Sequence, residues 1–208
     1  MILPKIKTSR TEIIDISKAL ACVAIIFAVL NTGVRLLDPS TFSVFATSQF
    51  WLVVVISVFT AGIGFVLHEL AHKLVAQRYG CVAEFRAFDQ MLLLALGLAL
   101  LLGFTFIAPG AVMISGNITR KENGIVSMAG PMTNYVLAMI FLGLAFAIPS
   151  WASFFAIGFG INTWLGLFNM IPFGNFDGIK IFYWNKVVWG AMVAFGVYFF
   201  IYSLRLSF

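Results

Sequence analysis

Two histidines and a glutamate stand together as His68-Glu69-Leu70-Ala71-His72, and these are the chain's two histidines. On a helix, residues four apart lie on one face, so both imidazoles can bind one metal ion. Glu69, beside the first of them, is placed to act as a general base toward water. This is the H-E-x-x-H arrangement of a zinc peptidase helix. The three residues follow residues 50–67, a run without a charged side chain. A carboxylate inside a membrane span costs roughly 2.5–3.5 kcal/mol on insertion scales and is a functional candidate by default. The plainer alternative is a Glu69–Lys73 ion pair closing a helix end near the headgroups.

A catalytic zinc takes three protein ligands and keeps one position open. With no third histidine, the remaining ligand must be a carboxylate. Glu12, Asp15, Asp38, Glu84, Asp89 and Glu122 fall in flanks or loops. Asp177 stands beside a broken span, where Pro172 ends a helix and the break implies a lined cavity. His68, His72 and Asp177 are therefore the expected metal ligands. An ordinary Asp-Gly turn is the competing reading of Asp177.

The elements that must position these groups follow from composition. The 208 residues are 62% hydrophobic and 10% charged, with mean hydropathy +1.03. Average soluble chains carry about 25% charged residues. The expected fold is an all-α polytopic membrane protein, one bundle of five to six transmembrane helices. A single transmembrane domain would occupy residues 1–208, with its core at 50–178. The net charge of +5 resides mostly at span ends and reads as topology, not as a nucleic-acid surface. Cys22 and Cys81 are lone cysteines, and no disulfide is expected.

In chain order, residues 1–18 form a basic leader, and 19–37 and 50–75 form spans. Residues 91–116 are expected to form a re-entrant hairpin. With the hairpin entering and leaving on one side, eleven basic residues lie in the cytosol and two, Arg35 and Arg205, lie outside. A full crossing by 91–107 changes the split to eight and five, a weaker fit to the positive-inside rule. The hairpin also puts Asp177 on the same side as His68. Its returning limb, 109–116, would be extended backbone, so Gly110, Ala111 and Val112 are candidates to hold a bound peptide by strand pairing. The competing reading is an ordinary span followed by a loop. Residues 132–148 are the next span, with Pro131 in its first turn. Asn134, inside it, is a substrate-site candidate or an interhelical hydrogen-bonding residue. Residues 151–171 follow, with Asn162 and Asn169 on one face, and 187–204 form the last span.

Three elements together resemble the site-2 protease family of intramembrane zinc peptidases. His68-Glu69-Leu70-Ala71-His72 is similar to its zinc helix. Gly130-Pro131 with Asn134 resembles the start of its middle core helix. Asn169-Met170-Ile171-Pro172, followed by Phe176-Asp177-Gly178, resembles its N-x-x-P-x-x-x-L-D-G element, with Phe176 in place of Leu. The resemblance implies one zinc ion per chain, Asp177 as third ligand, and Asn169 assisting near the metal. It also implies a membrane-protein substrate with a transmembrane helix, cut within the cell membrane. The expected orientation has the N-terminus cytosolic and the active site nearer the cytosolic face. A divalent metal transporter and a non-catalytic zinc protein are the alternatives. An ion path should place polar groups at several depths, and spans 19–37 and 187–204 offer few. A purely structural zinc site has no use for Glu69.

Overall fold

The structure is a computed structural model that describes residues 8–105 and 110–206. Lys5 and Lys7 of the expected leader, and Ile107 and Pro109 of the expected hairpin, lie outside these residues. In chain order the regular elements are α1 (Arg10–Thr32), α2 (Ser48–Ser57), α3 (Ile63–Arg78), β1 (Val82–Ala87), α4 (Asp89–Leu102), β2 (Gly110–Ser115), α5 (Arg120–Ala147), α6 (Ala152–Phe168), α7 (Asp177–Trp184) and α8 (Lys186–Arg205). One π-helical turn, Val58–Gly62, joins α2 to α3, making Ser48–Arg78 a single long helix. Five helices among the described residues are long and apolar enough to cross a membrane: α1, Ser48–Arg78, α5, Pro149–Phe168 and α8. The fold is an all-α polytopic membrane protein with one two-stranded ribbon.

The chain divides into two compact units. One holds Thr8–Val66 and Phe85–Ala111. Here α1 begins where the Ser9 side chain accepts the Glu12 N–H at 3.1 Å, a Ser-x-x-Glu start. The described part of the expected leader is thus the opening of the first membrane helix rather than a separate surface segment. Glu12 and Asp15 are buried instead of lying in a solvated flank. Glu12 accepts the Phe85 N–H at 2.9 Å, which ties α1 to β1.

The region expected to be a hairpin lies in this unit. Lys18 Nζ reaches Asp15 at 3.2 Å and Asp89, the first residue of α4, at 2.8 Å. Near the other end of α4, the Leu100 carbonyl accepts the Leu36 N–H at 2.8 Å. The helix therefore lies along α1 from the level of Lys18 to just past its end. Its 14 residues span about 21 Å. By Gly110 the chain is back beside Ala87, where a Cβ on the glycine would collide with the Arg86 carbonyl. The segment starts and finishes at one level, as a hairpin does and a crossing does not. Its helix stops at Leu102, where Gly103 takes a left-handed φ of 77°.

The second unit holds Leu67–Glu84 and the chain from Val112 onward. In it α5 packs on α6 and α7, and α8 packs on α6 and α7. A capping box of Thr119 and Glu122 starts α5 at Arg120, well before the expected start at residue 132. Pro131 is consequently inside the helix rather than in its first turn. The reciprocal cap fixes the helix start, while the proline removes one internal hydrogen bond without ending it. Tyr135 fills the space that Gly166 and Gly196 leave open, and its hydroxyl donates to the Met192 carbonyl at 3.1 Å. After α6 the chain breaks around Pro172, as its sequence predicts, and resumes as α7 at Asp177.

Candidate metal centre

His68 and His72 both stand on α3, one turn apart, and lie 4% and 7% exposed. Their Nε2 atoms are 3.0 Å apart. Asp177, 8% exposed, brings Oδ2 to 3.3 Å from His68 Nε2 and 3.0 Å from His72 Nε2. Three donor atoms from two helices distant in sequence thus converge on one point, and no other such group occurs among the described residues.

Asp177 arrives there through its neighbour. The Gly178 N–H donates to the Asn169 carbonyl at 2.7 Å, and a Cβ on Gly178 would collide with the carbonyl of Met170. Only a glycine lets α7 press so closely on the end of α6. The Asp-Gly pair therefore makes a turn and delivers a donor, and the two readings of Asp177 are compatible. Lys180, one turn on, holds the other carboxylate oxygen, Oδ1, at 3.6 Å.

The second nitrogen of each imidazole sets what faces the centre. His72 Nδ1 lies 2.8 Å from the Val126 carbonyl. A carbonyl only accepts, so Nδ1 carries a proton, and in the neutral ring Nε2 then presents a lone pair. His68 Nδ1 meets the Asn134 side-chain oxygen, with the same result. Two lone pairs and a carboxylate oxygen at these separations repel one another unless a cation lies among them. In a tetrahedral zinc site, zinc–nitrogen bonds of about 2.0–2.1 Å place ligand atoms ~3.3 Å apart, close to the spacing here. Space is reserved as well. A Cβ on the buried Gly130 would run into both Nε2 atoms, so the bare glycine leaves room at the centre.

The other expected site residues have distinct placements. Glu69 sits one residue past His68, half-buried, and its Oε2 accepts the Val112 N–H at 3.0 Å. Val112 thus meets Glu69 through its backbone N–H. Gly110 and Ala111 belong to the other unit. Asn134 spends its oxygen on His68 and its nitrogen on Asn162 at 3.2 Å. Asn169 turns its amide back along α6, donating to the Leu165 carbonyl at 3.0 Å, and contributes its own carbonyl to anchoring Gly178. Sequence reasoning missed the Val126 carbonyl and the Val112–Glu69 bond. It saw Asn162 only as sharing a face with Asn169. A polar residue inside an otherwise apolar helix was the available signal for Asn162.

A buried imidazole pair on one helix, an adjoining glutamate and an aspartate delivered by a second helix form the donor set of a metal-dependent hydrolase. Comparison with known proteins narrows that class. A Methanocaldococcus jannaschii protein provisionally named a zinc metalloprotease is 41% identical over 187 residues, covering 87% of this chain and 88% of that one. A second protein of the same organism, named a zinc metalloprotease, is 27% identical over 143 residues, 67% of this chain and 36% of its own. A Mycolicibacterium smegmatis protein, again provisionally named a zinc metalloprotease, is 36% identical over 130 residues, 54% of this chain and 50% of its own. The chain belongs to this family of zinc metalloproteases. It is a hydrolase whose cofactor is zinc, and His68, His72 and Asp177 form the group able to hold that ion. No protein-family model matches the chain, and no solved structure matches it.

Proposed function

We propose that this metalloprotease is an intramembrane endopeptidase of the site-2 type, cutting peptide bonds within or near transmembrane segments of membrane-bound substrates. One observation carries the reading: two of the three donors, His68 and His72, stand on Ser48–Arg78, a helix long and apolar enough to cross a bilayer. Chemistry on that helix belongs at membrane depth. The orientation that fits the charge bias puts the N-terminus and the nearer face of the site in the cytosol. Residues 1–208 then act as one protease domain in the cell membrane.

His68, His72 and Asp177 would hold the ion, with Nε2, Nε2 and Oδ2 as the atoms that converge. When bound there, zinc acidifies water and polarises a carbonyl as a Lewis acid. Glu69 takes the proton from the attacking water at its carboxylate and returns it to the leaving amine. Val112 N–H keeps one oxygen of Glu69 fixed, so the other is free for that transfer. Asn169 can serve the oxyanion only after its amide turns away from Leu165. A locally unwound substrate lies extended along β2 by strand pairing, beside residues 110–112.

The test is cleavage of a single-span substrate by detergent-purified protein, with the cut located by mass spectrometry and zinc measured on the same samples. The expected result is a cut inside or at the edge of the span by wild type, and none by zinc-loaded Glu69→Gln. Cuts confined to soluble loops would refute the intramembrane reading. Metal uptake into vesicles with no peptide cut would replace it with transport.

A further inference from the structure

Asn162 on α6 gives no atom to the donor group, yet it is fully buried and linked to it. We infer that Asn162 is a positioning residue: it fixes the tautomer of His68 from two side chains away. This rests on His68 being a metal ligand.

The orientation of these amides starts from a backbone carbonyl. Asn162 Nδ2 lies 2.9 Å from the Gly158 carbonyl of its own helix. That oxygen can only accept, so the NH₂ end of the amide must face it. Asn162 Oδ1 therefore points to Asn134, 3.2 Å from its Nδ2. Asn134 must then turn its own NH₂ toward Asn162 and its oxygen toward His68 Nδ1. An amide oxygen only accepts, so Nδ1 carries the ring proton and Nε2 keeps its lone pair for the metal. Each amide is oriented by the next, and the first by an atom with no choice. Asn134, Asn162 and His68 are 0%, 0% and 4% exposed, so bulk water does not compete for these bonds. Without Asn162, the Asn134 NH₂ loses the acceptor that Asn162 Oδ1 provides, which favours the rotated amide with NH₂ toward Nδ1. That arrangement favours the other tautomer, in which Nε2 carries the proton and cannot bind metal. His72 is held separately by the Val126 carbonyl and is an internal control.

The experiment uses the full-length, zinc-loaded protein with ¹⁵N-labelled histidine, which gives four ring nitrogens from two residues. In wild type both rings should show a protonated Nδ1 and a metal-bound Nε2. Asn162→Leu should lose the single His68 state, leave His72 unchanged, and weaken zinc about tenfold or more in chelator competition, the usual loss for an outer-shell partner. Asn162→Thr, whose hydroxyl can donate to Gly158 and accept from Asn134, should stay within about threefold of wild type, short of that loss. If the Leu variant does not fold, Asn162→Ala gives the same readout. An unchanged His68 spectrum with unchanged zinc affinity overturns the role of Asn162. A wild-type His68 with a protonated, unligated Nε2 would instead sink the ligand reading beneath it.

Discussion

The backbone N–H of Val112 and the carboxylate of Glu69 are joined by a 3.0 Å hydrogen bond. β2, part of the segment expected to form the hairpin, therefore holds the proposed base. Proline at 112 removes the N–H. We expect Val112→Pro to lower peptide cleavage about tenfold or more, since a hydrogen bond to a charged group contributes about 1.5–3 kcal/mol. Zinc content should not change, and Val112→Ala should cleave as wild type does. Full activity in the proline variant would detach β2 from the base.

Gly130 predicts a different failure. A methyl group there meets both Nε2 atoms, on a helix where alanine otherwise suits the backbone better than glycine. Gly130→Ala should fold, keep its helical circular dichroism, and lose zinc. Zinc binding equal to wild type in that variant would show that the centre lies elsewhere.

Gly178 tests how Asp177 is delivered. A Cβ at 178 collides with backbone atoms of Met170 and Ile171, which cannot move aside as a side chain would. Gly178→Ala should cost about 1–3 kcal/mol, as overpacking does, and should weaken zinc by displacing Oδ2. Measured thermal stability and zinc affinity should therefore fall together. Loss of stability alone would mean that Asp177 is not a ligand.

Metal removal should destabilise the protein beyond the loss of activity. The His68 and His72 Nε2 atoms and Asp177 Oδ2 lie within 3.0–3.3 Å of one another, and a bound ion would tie the two helices that carry them together. Ligand linkage adds about 2.7 kcal/mol at a hundredfold excess over Kd. Chelation should lower the melting temperature, and added zinc should restore it. The same shift in His68→Ala would contradict the assignment.

Much of this centre was legible because two constraints are local or countable. The spacing of His68 and His72 places them on one face of any helix, and the scarcity of other candidates left Asp177 as third donor. The hairpin was legible through the positions of Arg86, Arg120 and Lys121, since charge bias follows membrane side. The start of α5 was misread because Pro131 carries a strong local signal for a first turn, while the Thr119–Glu122 cap that sets the boundary lies in a charged stretch. The bonds from Val112 to Glu69 and from Asn162 to Asn134 span 43 and 28 residues. Nothing in a helix-period pattern reveals which way a buried amide faces.

Zinc-edge X-ray absorption on purified wild type and Asp177→Ala tests the central claim most directly. The prediction is one zinc per wild-type chain with two imidazole nitrogens and a carboxylate oxygen at about 2.0–2.2 Å. The variant should lose the oxygen and bind zinc about tenfold or more weakly, as expected when a catalytic site loses one of its three protein ligands. An identical spectrum and affinity in the variant would contradict the account, because the two imidazoles would then hold the ion without Asp177.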